Sequence, residues 1–143
     1  MLMALDFVIR LGTWQELAED AKAIRAAVFI QEQNISPDDE WDDLDAVCTH
    51  FVVYEQNQPI ATARLLTNHS IGRVAVLKSQ RGFGVGQKLM QAVINEAQNQ
   101  QRPYVKLSSQ VHAIGFYQAL GFVAQGSEYL DCGIPHRDMK LLF

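Results

Sequence analysis

The stretch Gln80-Arg81-Gly82-Phe83-Gly84-Val85-Gly86-Gln87 places glycine at alternate positions between an apolar, strand-like run and an amphipathic, helix-like run. Each glycine inside a helix costs about 1 kcal/mol relative to alanine, so a helix that begins with several of them needs a compensating gain. The first four N–H groups of a helix lack intrahelical partners, and the macrodipole adds partial positive charge where they point. Anions settle at such ends. Glycine removes the side chains that would keep a ligand off the backbone and admits dihedrals that other residues avoid. Arg81 can add a charge-assisted contact. On local grounds the segment reads as a phosphate-binding turn, with an ordinary tight turn as the alternative.

Elimination narrows the kind of phosphate loop. A Walker A loop needs Gly-Lys followed by Ser or Thr, whereas Gly86 is followed by Gln87, Lys88 and Leu89, with no hydroxyl to hold magnesium. A dinucleotide fingerprint needs G-x-G-x-x-G and an acidic residue about 20 positions on. Here the spacing is G-x-G-x-G, and position 106 is Lys106.

What remains is Arg81-x-x-Gly84-x-Gly86, which resembles the acetyl-coenzyme A loop of the GNAT family of N-acetyltransferases. The preceding Ile71-Gly72-Arg73-Val74-Ala75-Val76-Leu77 is similar to that family's central strand. Ala113-Ile114-Gly115-Phe116-Tyr117-Gln118-Ala119-Leu120-Gly121-Phe122 is similar to its A-x-x-F-Y-x-x-x-G-F helix and turn. Val28-Phe29-Ile30-Gln31-Glu32-Gln33 and Gly133-Ile134-Pro135-His136-Arg137-Asp138-Met139 resemble the "VFxxEQ" and "GIPHxxM" segments of the small bacterial YjcF-like and ElaA-like branch. With these, the likeness spans nearly the whole chain.

The resemblance implies an α/β acyl-CoA N-acyltransferase fold, a mixed central sheet of about six or seven strands flanked by about four helices. It implies transfer of an acetyl group from acetyl-coenzyme A to a primary amine, directly in a ternary complex. By the same resemblance, the pantetheine arm pairs with backbone groups of Val74 and Val76 beside Ala75. The pyrophosphate rests on N–H groups of Arg81, Gly82, Phe83, Gly84, Val85, Gly86 and Gln87. Tyr117 matches the family's general acid, and a phenol is protonated at neutral pH and able to donate to a thiolate. Read from the residues alone, the Phe116-Tyr117 pair belongs more naturally in a core. The family's asparagine near that helix is missing from Ser108-Ser109-Gln110-Val111-His112, so Gln110 or Ser109 is the substitute candidate. A coenzyme A binding or sensing module without turnover is the alternative function.

The acidic run Asp38-Asp39-Glu40-Trp41-Asp42-Asp43-Leu44-Asp45 has two readings. Carboxylates attract an ammonium acceptor but also raise its pKa, so the run suits capture more than activation. A solvated loop is the other reading. Arg25, Glu32, Gln33, Glu40 and His50 are the candidate acceptor-site residues, with Arg25 and Glu32 equally able to form a structural pair. Amino-sugar phosphates, polyamines, amino acids and protein lysines are the acceptor candidates. A phosphate sits awkwardly beside so many carboxylates.

The remaining features set bounds. A chain of 143 residues, 48% hydrophobic and 20% charged, reads as one globular domain over 1–143. A net charge of -4 gives no nucleic-acid footprint. Asp6 interrupts the N-terminal apolar run before a signal-peptide core forms, so a cytoplasmic protein without membrane segments is expected. Cys48 and Cys132 form no paired motif and read as buried free thiols. His50, His69, His112 and His136 lack ligand spacing, so no metal is expected. A homodimer is a candidate assembly, since dimers are common among small soluble proteins.

Patterning predicts a strand over Leu5–Leu11 and a helix opened by the capping box Thr13-x-x-Glu16 and running through Val28. A hairpin follows over 50–66, then a strand over 71–77. The glycine turn opens a helix with Leu89, Met90, Val93, Ile94 and Ala97 on one face, and a parallel partner strand follows over 104–108. A last helix near 111–119 and strands near 122–129 and 137–142 complete the sheet.

Overall fold

Thr13 sets the boundary between the first strand and the first helix. In the computed structural model, which describes residues 7–143, strand β1 spans Phe7–Gly12 and helix α1 spans Trp14–Arg25. Leu5 and Asp6, which the expected strand and the signal-peptide reading included, lie outside the described residues. The Thr13 hydroxyl accepts from the Glu16 N–H at 3.3 Å, and the Glu16 carboxylate accepts from the Thr13 N–H at 3.0 Å. Both bonds satisfy donors that a helix start otherwise leaves open. Leu17, Ala21 and Ile24 bury one face of α1.

Beyond Arg25 the helix widens instead of continuing as the expected α-helix. Ala26–Glu32 forms a π-helical segment, with the Gln33 N–H reaching back to the Val28 carbonyl at 3.1 Å. Wide turns of this kind cluster at functional sites. This one carries Glu32 and Gln33 to the cleft described below. A short helix α2 (Pro37–Glu40) and a 3₁₀ turn (Asp43–Val47) follow.

Strands β2 (Thr49–Glu55), β3 (Gln58–Leu65) and β4 (Ile71–Val76) join β1 in an antiparallel sheet of order β1-β2-β3-β4. Helix α3 (Val85–Asn99) crosses to β5 (Tyr104–Gln110). A 3₁₀ turn and helix α4 (Ile114–Ala119) then lead to β6 (Val123–Asp131) and β7 (Ile134–Leu142), in a second sheet of order β5-β7-β6. Seven strands and four α-helices give the expected α/β fold, but the strands divide into two sheets. The last strand begins at Ile134, not Arg137, so Gly133-Ile134-Pro135-His136 belongs to a tight hairpin with Cys132 at φ 50° and Gly133 at φ 75°.

The two sheets meet at one place. Ser70 and Lys106 form an isolated parallel bridge, and the Lys106 N–H donates to the His69 carbonyl at 3.0 Å. Past it, β4 and β5 diverge. On one face, Phe51, Val53, Ala63, Leu65, Leu107 and Met139 pack under Leu89, Met90 and Val93 of α3. On the other, Val52, Tyr54 and Ala75 pack under Leu17, Ala21 and Ile24 of α1.

The acidic run is solvated only in part: Asp38, Asp39 and Asp43 are exposed, whereas Glu40 and Asp45 are buried and, with Asp42, ion-paired. Arg25 donates to Glu40 at 2.7 Å and to Asp45 at 2.8 Å, and Arg64 donates to Asp42 at 2.7 Å and to Asp45 at 2.9 Å. Arg73 adds its Nε 3.1 Å from Glu40. Three carboxylates of the run thus balance three arginines from distant elements, which is how charges survive burial.

Candidate active site

Where β4 and β5 part, a cleft of about 1230 Å³ opens. Its first wall is the outer edge of β4. The Leu77 N–H donates inward to the Ile60 carbonyl at 2.9 Å, so strand alternation turns the N–H and C=O groups of Val76 and Val74 outward, away from β3. Beyond the Ser70 bridge no strand among the described residues pairs with that edge. Arg73 interrupts the strand with φ 53°, where the ladder to β3 shifts register. A non-glycine residue held there stores strain of the order of 1–3 kcal/mol, and such strain clusters at ligand clamps.

The second wall is the glycine turn. Gly84 caps α3 in the left-handed region at φ 81° with no side-chain cap. The first bond of the helix runs from the Lys88 N–H to the Gly84 carbonyl, which leaves the N–H groups of Val85, Gly86 and Gln87 without helix partners. Gly86 serves another purpose, because a Cβ there would meet Phe116 of α4 at 3.3 Å. Phe83 is 58% exposed and does not line the cleft, whereas Gly82, Gly84, Val85, Gly86 and Gln87 do.

Arg81 lines the cleft, but its guanidinium is already engaged. It donates twice to Glu32, at 2.7 Å each, and once to the Val76 carbonyl at 3.0 Å. The pair ties the loop to the π-helical segment, and its hydrogen bonds hold the Glu32 carboxyl below the usual carboxylate range. The structural pair open to Glu32 in the sequence is therefore made with Arg81, not Arg25.

Tyr117 lies on α4, beside Phe116, whose ring abuts the glycine turn at Gly86. Its ring is buried in the α3-side core, edge-on to Phe116 and Phe122. The hydroxyl makes no hydrogen bond to a described residue, and the residue lines the cleft. Burial pushes its ionisation up to about 12, which keeps the phenol neutral through the physiological range.

The acceptor-site candidates separate. Glu32, Gln33 and Glu40 reach the cleft. Gln33 and Gln110 exchange side-chain hydrogen bonds at 2.9 and 3.5 Å, joining the π-helical segment to β5. Arg25 and His50 do not line the cleft. Arg25 is 1% exposed, saturated by Glu40 and Asp45, and flanked by the rings of Trp14 and Trp41. His50 donates to the Asp45 carbonyl at 2.8 Å against Trp14, and burial lowers its pKa.

Arg73, Cys132 and His136 are among the cleft residues to which sequence reasoning assigned no role. Arg73 lines the cleft because of a positive φ that a strand pattern does not announce. Cys132, expected to be buried, is exposed at the β6–β7 tip, where desolvation and then Asp131 raise its thiol pKa. His136, read only as lacking ligand spacing, reaches the cleft from β7, and the sole signal was its place in Gly133-Ile134-Pro135-His136. Among the described residues no cluster of His, Cys, Asp or Glu is arranged to hold a metal ion, and no helix is long and apolar enough to cross a membrane.

Known proteins are similar to this chain in sequence and fold. A family model described as an acetyltransferase (GNAT) domain matches residues 17–143. The Bacillus subtilis protein described as the uncharacterized N-acetyltransferase YjcF is 36% identical over 129 residues, covering 87% of this chain and 92% of its own. The crystal structure of an acyl-CoA N-acyltransferase from Pseudomonas aeruginosa superposes with a TM-score of 0.81 at 33% identity, covering 96% of this chain and 99% of that one. That of Escherichia coli ElaA superposes with a TM-score of 0.86 at 29% identity, covering 95% and 99%.

Proposed function

The chain belongs to the acetyltransferase (GNAT) family, and from that premise we propose that it moves an acetyl group from acetyl-coenzyme A to a primary amine by direct transfer. The observation that carries this reading is the unpaired outer edge of β4 running up to the bare N-terminus of α3. An extended amide-bearing chain fits that edge as an added strand fits a sheet. A diphosphate fits the N–H groups of Val85, Gly86 and Gln87. Neither a nucleotide base nor a phosphate alone requires both features side by side.

When bound, acetyl-coenzyme A supplies an activated thioester carbonyl. The outward N–H of Val76 is the group available to stabilise charge on an oxygen at the splay. Tyr117 holds a proton for the departing sulfur, since burial keeps its phenol from ionising. Covalent relay through Cys132 is disfavoured, because its raised thiol pKa leaves little of the nucleophilic thiolate.

The acceptor is a primary amine, with polyamines, amino acids, protein lysines and amino-sugar phosphates as candidates. The acidic run favours a polycation less than its composition suggests, because Glu40, Asp42 and Asp45 are balanced by arginines and only Asp38, Asp39 and Asp43 make no ion pair among the described residues. Calorimetry with coenzyme A, ADP and NAD is the first test. Coenzyme A is expected to bind at least about tenfold more tightly than the other two, a difference of about 1.4 kcal/mol. Equal affinities would remove the pantetheine argument. Thiol release from acetyl-coenzyme A across an amine panel is the second. Binding without release above background hydrolysis would favour a sensing module.

A further inference from the structure

The hairpin Gly133-Ile134-Pro135-His136 brings to the cleft a side chain that the acetyl-transfer reading leaves without a role. His136 lies on β7, the central strand of its sheet, paired with Gln110 of β5 on one side and Tyr129 of β6 on the other. Residues opposite one another in an antiparallel ladder share a face, and successive residues alternate. Leu107 and Met139 form such a pair and point into the core under α3, the core that also holds Tyr117. Gln110 and His136 therefore point to the other face, where Gln33 meets Gln110. The cleft passes between the two faces, with Tyr117 on one and His136 on the other.

Geometry fixes which ring nitrogen of His136 is available. Nδ1 lies 2.7 Å from the Ile134 carbonyl oxygen, and a carbonyl can only accept, so Nδ1 carries the hydrogen. In the neutral ring the lone pair is then on Nε2. Nε2 has no hydrogen-bond partner among the described residues, although His136 is only 9% exposed. Tyr129 lies nearly parallel to the ring, with centroids 6.2 Å apart, and its hydroxyl is occupied by Ser108 and Asp138. A carbonyl on one edge and a ring on one face thus hold the imidazole with an acceptor atom unmet. Among the described residues, the buried side-chain atoms without a hydrogen-bond partner are Arg64 Nε and Arg73 Nε, so Nε2 of His136 is open to the cleft and free to accept from a donor that enters it.

We propose that His136 is the general base of this reaction, taking through Nε2 the proton that the acceptor ammonium must lose before it can attack; this rests on the acetyl-transfer reading. One N–H bond of the ammonium breaks, its electron pair stays on nitrogen, and a new bond forms between the proton and Nε2. The imidazolium, still hydrogen-bonded to Ile134, releases that proton to water. Placing the base on the face opposite Tyr117 keeps it from taking the proton that the phenol holds for sulfur. It also frees the amine without relying on carboxylates, whose charge would hold the proton on nitrogen.

Two-bond proton–nitrogen correlation spectra of the histidine rings test the assignment in ¹⁵N-labelled protein. His136 is expected as the Nδ1–H tautomer, and acetyl-coenzyme A is expected to move its Nε2 signal but not that of His69, which lies off the cleft. An Nε2–H tautomer, or an unmoved His136 while the amides of residues 82–87 shift, overturns the base alone. Unmoved amides overturn the cofactor reading, and the base assignment with it. In kinetics, His136→Gln is expected to lower kcat about 100-fold with the alkylamine found in the panel. The loss should be far smaller with hydroxylamine, which is largely unprotonated at neutral pH, and coenzyme A affinity should stay within about twofold. Equal losses with both amines, or weakened coenzyme A binding that accounts for the loss, would show a structural role instead.

Discussion

The glycine turn and the arginine cluster both border the cleft, but they are built from different materials. The turn presents the main-chain N–H groups of Val85, Gly86 and Gln87 without helix partners, on a segment made largely of glycine. The cluster works through side chains reaching across the fold: Arg25, Arg64 and Arg73 hold Glu40, Asp42 and Asp45 across elements far apart in the chain, with the Glu40 carbonyl as a further acceptor. A backbone device can be altered with little loss of fold, because its groups face the cleft. A buried charge network tolerates less, because removing one member leaves its partners buried with fewer opposite charges around them.

Breaking the cluster is expected to give the largest effect. Arg25→Met leaves buried Glu40 with Arg73 alone and buried Asp45 with Arg64 alone, and should cost about 3 kcal/mol of stability in urea titration. The folded fraction should still bind coenzyme A. A loss of less than about 1 kcal/mol would mean that the cluster relaxes onto water.

On the cofactor side, Tyr117→Phe removes a hydroxyl that bonds to no described residue, so stability and coenzyme A affinity should hardly change. Activity with the panel acceptor should fall about 100-fold, the range for losing a positioned acid. Unchanged turnover would make Tyr117 a core residue only. Gly86→Val tests the turn itself. Its new side chain meets Phe116 and crowds the helix start, so coenzyme A affinity should fall about tenfold by calorimetry, with a stability loss of about 1–2 kcal/mol from overpacking.

The smallest expected effect is acid sensitivity of the cluster. Hydrogen bonds from Arg64 hold the Asp42 carboxyl down to about 2, below its ordinary 3.8. A depressed pKa contributes stability that is present above the unfolded value and lost as pH falls through the folded one. The window therefore runs from about pH 4 to about pH 2. The full shift converts to roughly 2 kcal/mol, but the Asp42 side chain is 30% exposed, so about 1 kcal/mol is expected after solvent screening. Arg64→Met should flatten that part of the stability–pH curve in low salt.

The same contrast explains what could be read from the chain. The Thr13 capping box, the apolar face of α3 and the strand–turn–helix around Gly84 were legible because each depends on residues within one or two turns of one another. An α/β fold of about six or seven strands was legible through the resemblance that these segments carry, but not their division into two sheets. The fate of the acidic run was not, because its partners at Arg25, Arg64 and Arg73 come from α1, β3 and β4. The π-helical widening after Arg25 and the positive φ at Arg73 leave no periodic mark in sequence.

By itself, then, the sequence determined the local devices: which glycines open α3, where α1 starts, which faces are apolar, and the family to which those pieces belong. Tertiary structure decided the parting of β4 from β5 after the Ser70 bridge, the pairing of Arg81 with Glu32, and the burial of Arg25 and His50 off the cleft. It also set Tyr117 and His136 on opposite faces. Short-range patterns fix dihedrals and caps, whereas the meeting of charges and the divergence of strands depend on the whole sheet's register, which no local segment encodes.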